Sequence, residues 1–87
     1  MKMYAITQRI ESRDWGRISF SIEGVWPTFD EAVEALKAIK ERQDKIAERV
    51  GDSKTGKIEV FENKAFYEYS DYDGNYNYEV ECVNVKM

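Results

Sequence analysis

Histidine is absent from this 87-residue chain, and cysteine and proline occur once each, as Cys82 and Pro27. Without histidine, and with one thiol, Ser-His and Cys-His nucleophilic catalysis and ordinary structural zinc sites are excluded. A lone cysteine forms no internal disulfide, in keeping with a reducing compartment. No apolar run approaches the roughly 18 residues of a membrane span, and Met1-Lys2-Met3-Tyr4 lacks the apolar core of a secretory signal. The expectation is a cytoplasmic, non-enzymatic protein with no cofactor, no metal and no membrane association.

What the chain does have is 43% hydrophobic, 34% charged and 14% aromatic residues, the balance of one globular domain over residues 1–87. The net charge of −4 is unevenly placed. Residues 58–87 hold seven acidic groups against two basic ones, while the rest of the chain is nearly balanced. An acidic C-terminal third repels nucleic acid and attracts basic partners.

Phe29, Val33, Leu36, Ile39, Ile46 and Val50 recur at helical spacing, interrupted at Gln43, and predict one helix of about 33 Å from Thr28 to Val50. Thr28 and Glu31 form a capping box at its start, and Gly51 follows as a stop. Before the helix, Tyr4, Ile6, Gln8 and Ile10 mark a first strand, and Ile18, Phe20 and Ile22 a second that Gly24 ends. After it, a polar loop over residues 51–57 leads to a third strand from Ile58 to about Ser70, with a bulge near Asn63-Lys64. Asp73-Gly74 then reads as the two-residue turn of a hairpin. That turn pairs Tyr69 with Tyr78, Tyr67 with Val80, Ala65 with Cys82 and Glu68 with Glu79. The parity change to Val83 and Val85 suggests a bulge or a change of neighbour beyond Cys82.

The fold expected is therefore α+β: ββαββ, a four-stranded antiparallel sheet in order 2-1-3-4, with one long helix packed on one face. Its other face and its open edges leave room for a partner, a second copy of the chain included.

Three motifs are explained by the fold. Gly51-x-x-x-x-Gly56-Lys57 matches most of a phosphate-binding loop, but it follows a helix and opens a strand, the reverse of what that loop requires. Asp71-Tyr72-Asp73-Gly74-Asn75 looks like the start of a calcium loop, yet Tyr76 and Cys82 stand where that loop needs glycine and glutamate. A carboxylate pair such as Glu68 and Glu79 is common by chance among seventeen acidic residues.

Five of the six tyrosines fall between Tyr67 and Tyr78, interleaved with carboxylates. Nucleic-acid sites set aromatics among lysine and arginine, whereas protein interfaces favour tyrosine for its contact area and polar tip. Tyr67 reads as core, with Tyr69 and Tyr78 partly so. The candidate contact residues are Glu68, Asp71, Tyr72, Asp73, Tyr76, Glu79 and Glu81, with Trp15 in the first turn, and the expected partner is a basic protein surface. The alternative is a nucleic-acid module using Arg9, Arg13 and Arg17 around Trp15.

Two resemblances bear on function. Ile18-Ser-Phe-Ser-Ile-Glu-Gly24 leading into Thr28-Phe-Asp-Glu31-Ala-Val-Glu-Ala-Leu36 resembles the strand-to-helix portion of HicB-type antitoxins, which implies an antitoxin-like partner protein. In size, single-domain build and acidic surface the chain resembles phage-encoded anti-CRISPR inhibitors. That resemblance implies a protein acting in a host cytoplasm by occupying the basic, nucleic-acid-binding surface of a target.

Overall fold

The computed structural model describes residues 1–12, 16, 18–49, 54–62, 64–71 and 74–84. Their order is β1 (Lys2–Ser12), β2 (Ile18–Trp26), α1 (Phe29–Arg49), β3 (Lys54–Thr55), β4 (Glu59–Val60), β5 (Ala65–Ser70) and β6 (Gly74–Asn84). The class is α+β, with one helix against a six-stranded antiparallel sheet in the order β2-β1-β6-β5-β3, and β4 pairing with β5. Val50, Gly51 and the expected turn at residues 13–15 lie outside the described residues.

The helix starts where its capping box predicts. Thr28 Oγ1 accepts from the Glu31 amide at 3.2 Å and donates to Glu31 Oε2 at 3.1 Å. Ala32, Val33, Leu36 and Ile39 are buried against Ile6, Ala65, Tyr67, Tyr69, Tyr78 and Val80 of the sheet. Leu36, Ile6, Tyr67 and Val80 are sealed from solvent, so truncating Leu36 to alanine costs about 2–5 kcal/mol. Ile46, further along the apolar stripe, is exposed, and Ala47 packs in its region instead. Gln43, which breaks the stripe, donates to the Tyr78 hydroxyl at 3.4 Å. Gln8 donates to the same hydroxyl at 2.8 Å, and Ser21 donates to Gln8 Oε1 at 3.1 Å. One polar chain thus joins β2, β1, β6 and the helix.

The sheet order differs from the expected 2-1-3-4 because the last long strand, not the one before it, lies beside β1. Crossover handedness does not decide which of the two goes inside; length does. β6 and β1 are eleven residues each and pair without a break from Lys2–Asn84 to Ser12–Gly74, whereas β5 has six residues. The unbroken pairing also removes the bulge expected beyond Cys82. The expected third strand from Ile58 to Ser70 is folded back on itself, because β4 turns at Phe61–Lys64 and pairs Val60 with Ala65. The Phe61 amide donates to the Lys64 carbonyl at 2.7 Å across that turn.

Register in the last hairpin is displaced by two residues from the expectation: Tyr69 faces Tyr76, Tyr67 faces Tyr78 and Ala65 faces Val80. An even displacement keeps every side chain on its expected face. The Asp71 amide donates to the Gly74 carbonyl at 3.0 Å, and the Gly74 amide to Asp71 Oδ1 at 3.1 Å, so the two residues between them are 72 and 73. Gly74 is the first residue of β6, and glycine is needed there for contact: a Cβ would run into the Glu11 carbonyl oxygen of β1.

β2 holds the other departure. Gly24 does not end it; the strand runs to Trp26, and the indole covers Gly24 so closely that a Cβ there would lie 2.6 Å from the ring. Pairing with β1 shifts between Ile6–Gly24 and Thr7–Ile22, leaving Glu23 as an extra residue. Trp26 and Gly24 therefore share the helix-covered face with Tyr4 and Ile6. Ile18, Phe20 and Ile22 share the opposite face with Glu11, Arg9 and Thr7.

Candidate interaction surface

Strand alternation gives the uncovered face its composition. β1 contributes Thr7, Arg9 and Glu11; β6 contributes Asn75, Asn77, Glu79, Glu81 and Val83; β5 contributes Phe66, Glu68 and Ser70. Lys54 pairs with Ser70 and Glu59 with Phe66, so both extend this face. Five carboxylates thus stand on the sheet against two basic side chains, Arg9 and Lys54. Lys64 reaches Glu79 at 3.8 Å, with both groups partly solvated, a contact of small energetic weight.

Apolar side chains flank the carboxylates on both sides. Phe20 is 74% exposed and Ile22 68%, with Ile18 beside them. Across the sheet, Phe66 meets Phe61 edge to face at 5.8 Å. Between these walls runs an open trough of about 440 Å³, with Arg9, Glu79 and Glu81 among its lining residues. Large exposed apolar groups gathered in one patch are uncommon on a surface that only meets solvent.

The structure divides the candidate residues. Glu68, Glu79 and Glu81 come together on the uncovered face, with Phe66 as the alternation predicts. Glu68 and Glu79 are not directly opposed, however, because the register places Glu68 against Asn77 and Glu79 against Phe66. Tyr76 lies on the other face, half-buried, its ring 5.6 Å from that of Tyr69. Asp71 caps the hairpin turn through its contacts with Gly74. Trp15, Tyr72 and Asp73 lie outside the described residues, as do Arg13 and Arg17 of the alternative reading, while Arg9 sits in the trough.

Phe20 and Ile22 were not expected on this surface. No signal in the sequence marks this: Ile18, Phe20, Ile22 and Trp26 share one parity, and only the extra residue in β2 puts Trp26 and the apolar row on opposite faces.

The remaining tyrosines are core. Tyr67, Tyr69 and Tyr78 are buried under the helix, with Tyr67 and Tyr78 stacked at 5.7 Å. Burial, reinforced by the nearby Asp44 charge, pushes the Tyr67 hydroxyl up to about 12. Burial likewise raises Tyr78, against the two glutamine hydrogen bonds that lower it. Asp44 is held below the ordinary carboxyl value by hydrogen bonds from Lys40 and then Thr55, each at 2.7 Å. Thr55 gives its hydroxyl hydrogen to Asp44; its oxygen lies near enough to the Tyr67 hydroxyl to lower that group's value somewhat against burial, but the buried Tyr67 hydroxyl makes no well-formed hydrogen bond among the described residues.

Among the described residues no three carboxylate or cysteine side chains converge on a point where an ion could be held, and no helix is long and apolar enough to cross a membrane. Comparison with known proteins finds no match among protein-family models, curated proteins or solved structures.

Proposed function

We propose that this chain is a non-enzymatic binding protein whose uncovered sheet face engages a basic protein surface, and that it acts as an inhibitor by occupying the nucleic-acid-binding site of its target. The observation that carries this reading is the row Glu68, Glu79 and Glu81, extended by Glu11 and Glu59, beside the exposed ring of Phe20 and the half-buried ring of Phe66. Carboxylates on a stiff sheet hold negative charge at fixed spacing, as a phosphate backbone does. They steer a basic partner toward the face, and the aromatic walls then give short-range contact area. The same row opposes direct binding to nucleic acid, whose phosphates it would repel.

The test is capture on the immobilised chain from bacterial lysate, followed by elution with duplex DNA. Basic nucleic-acid-binding proteins should be retained at low salt, displaced by DNA, and lost when the bait carries Glu68→Lys, Glu79→Lys and Glu81→Lys together. Retention that survives the triple reversal, or that DNA does not displace, contradicts the reading.

A further inference from the structure

We propose that two copies of this chain pair through β2, antiparallel about a two-fold axis at Phe20, to form a homodimer with one continuous sheet. Among the described residues β2 is an edge strand, paired only with β1, so alternate residues along it turn their N–H and C=O groups away from the sheet. The two edges are built differently. At the far one, β3 and β4 are two residues each, the short strands by which sheets avoid edge pairing. β2 is nine residues long, and its side chains from Ile18 to Glu23 are all exposed. Between Ile18 and Ile22 it has no charge, no proline and no bulge to discourage a second strand.

The segment is also complementary to itself. Ile18-Ser19-Phe20-Ser21-Ile22 reads the same in both directions. An antiparallel ladder centred on Phe20 sets that residue against Phe20 of the second copy, Ser19 against Ser21, and Ile18 against Ile22. Apolar groups then meet on the uncovered face and hydroxyls on the other, pairs that stabilise a ladder. A slip of one residue turns the second copy's apolar row to the wrong face. The left-handed Gly16 (φ 60°) and the extra residue Glu23 limit the ladder at its two ends, which makes the dimer short and concentration-dependent.

Sedimentation equilibrium on the full chain, from low micromolar to about 1 mM, tests the pairing without reference to any other partner. The mass should rise from 10.2 kDa toward twice that value. Phe20→Lys sets two ammonium groups against each other at the axis and should weaken the dimer by at least about tenfold. The side chain is exposed, so circular dichroism of this variant should match the parent. Ile22→Glu should weaken the dimer as well, and adding Ile18→Lys, which stands opposite it in the second copy, should restore association in part. A mass of 10.2 kDa at every concentration, a dimer indifferent to Phe20→Lys, or no recovery in the double variant would overturn the proposal.

Discussion

Gly74 of β6 lies against the main chain of β1, with the Glu11 carbonyl occupying the space where a Cβ would stand. The contact sits at the end of the longest pairing in the sheet, where Ser12 faces Gly74. Its φ is not in the left-handed region, so the demand for glycine is one of space.

Gly74→Ala should therefore destabilise the protein by about 1–3 kcal/mol, the cost of forcing a methyl group into a packed contact. Urea denaturation checks this. Gly56→Ala, whose added Cβ would approach the Glu68 carbonyl no closer than 3.4 Å, should cost less.

The stacked pair Tyr67 and Tyr78 should respond oppositely to loss of the hydroxyl. Tyr78 accepts from Gln8 and Gln43, so Tyr78→Phe removes the acceptor of two half-buried donors and should cost about 0.5–1.5 kcal/mol. Tyr67 has a buried hydroxyl without a well-formed hydrogen bond among the described residues, so Tyr67→Phe should be neutral or stabilising by up to about 1 kcal/mol. Parallel denaturation curves read both.

Alkaline pH should expose the same two residues. Burial raises the Tyr67 hydroxyl from 10.0 to about 12 in the folded chain. A raised value means that the folded state resists losing the proton. The stability tied to it is complete below about 10 and falls away as pH rises toward 12. Tyrosinate absorbance, compared with that of Tyr67→Phe and Tyr78→Phe variants, should show Tyr67 and Tyr78 ionising at higher pH in the native protein than in denaturant. Ionisation of these two at the same pH in both states would contradict the burial described. Asp44 has the opposite sign, because its lowered value contributes stability above the ordinary 3.8 that is lost as pH falls through the folded value.

Periodicity and capping chemistry are enough to read the helix, its start and its buried stripe through Ile39, because those signals are local and additive; they also put Ile46 in the stripe, where the structure leaves it exposed. Alternation was likewise enough to place Phe66, Glu68, Glu79 and Glu81 together on one face. What escaped was decided by non-local contacts. Asp73-Gly74 carries the signature of a hairpin turn, but glycine at 74 answers to the backbone of a strand more than sixty residues earlier. The extra residue at Glu23 has no composition signal, and it alone turns Ile18, Phe20 and Ile22 away from the helix. Which of the last two strands lies inside followed from matching lengths, visible only once β4 is seen to fold back at Phe61–Lys64. Gln43 looked like a defect in the stripe until Tyr78 was found beneath it.

On the proposed reading the uncovered face, and not the helix, meets a basic partner, and amide NMR shift mapping with an arginine-rich peptide as a stand-in distinguishes the two. Shifts should concentrate at Arg9, Phe66, Glu68, Asn77, Glu79 and Glu81, and Glu68→Lys with Glu79→Lys should abolish them. Shifts clustered along Phe29–Arg49, or unchanged by the double reversal, would contradict it.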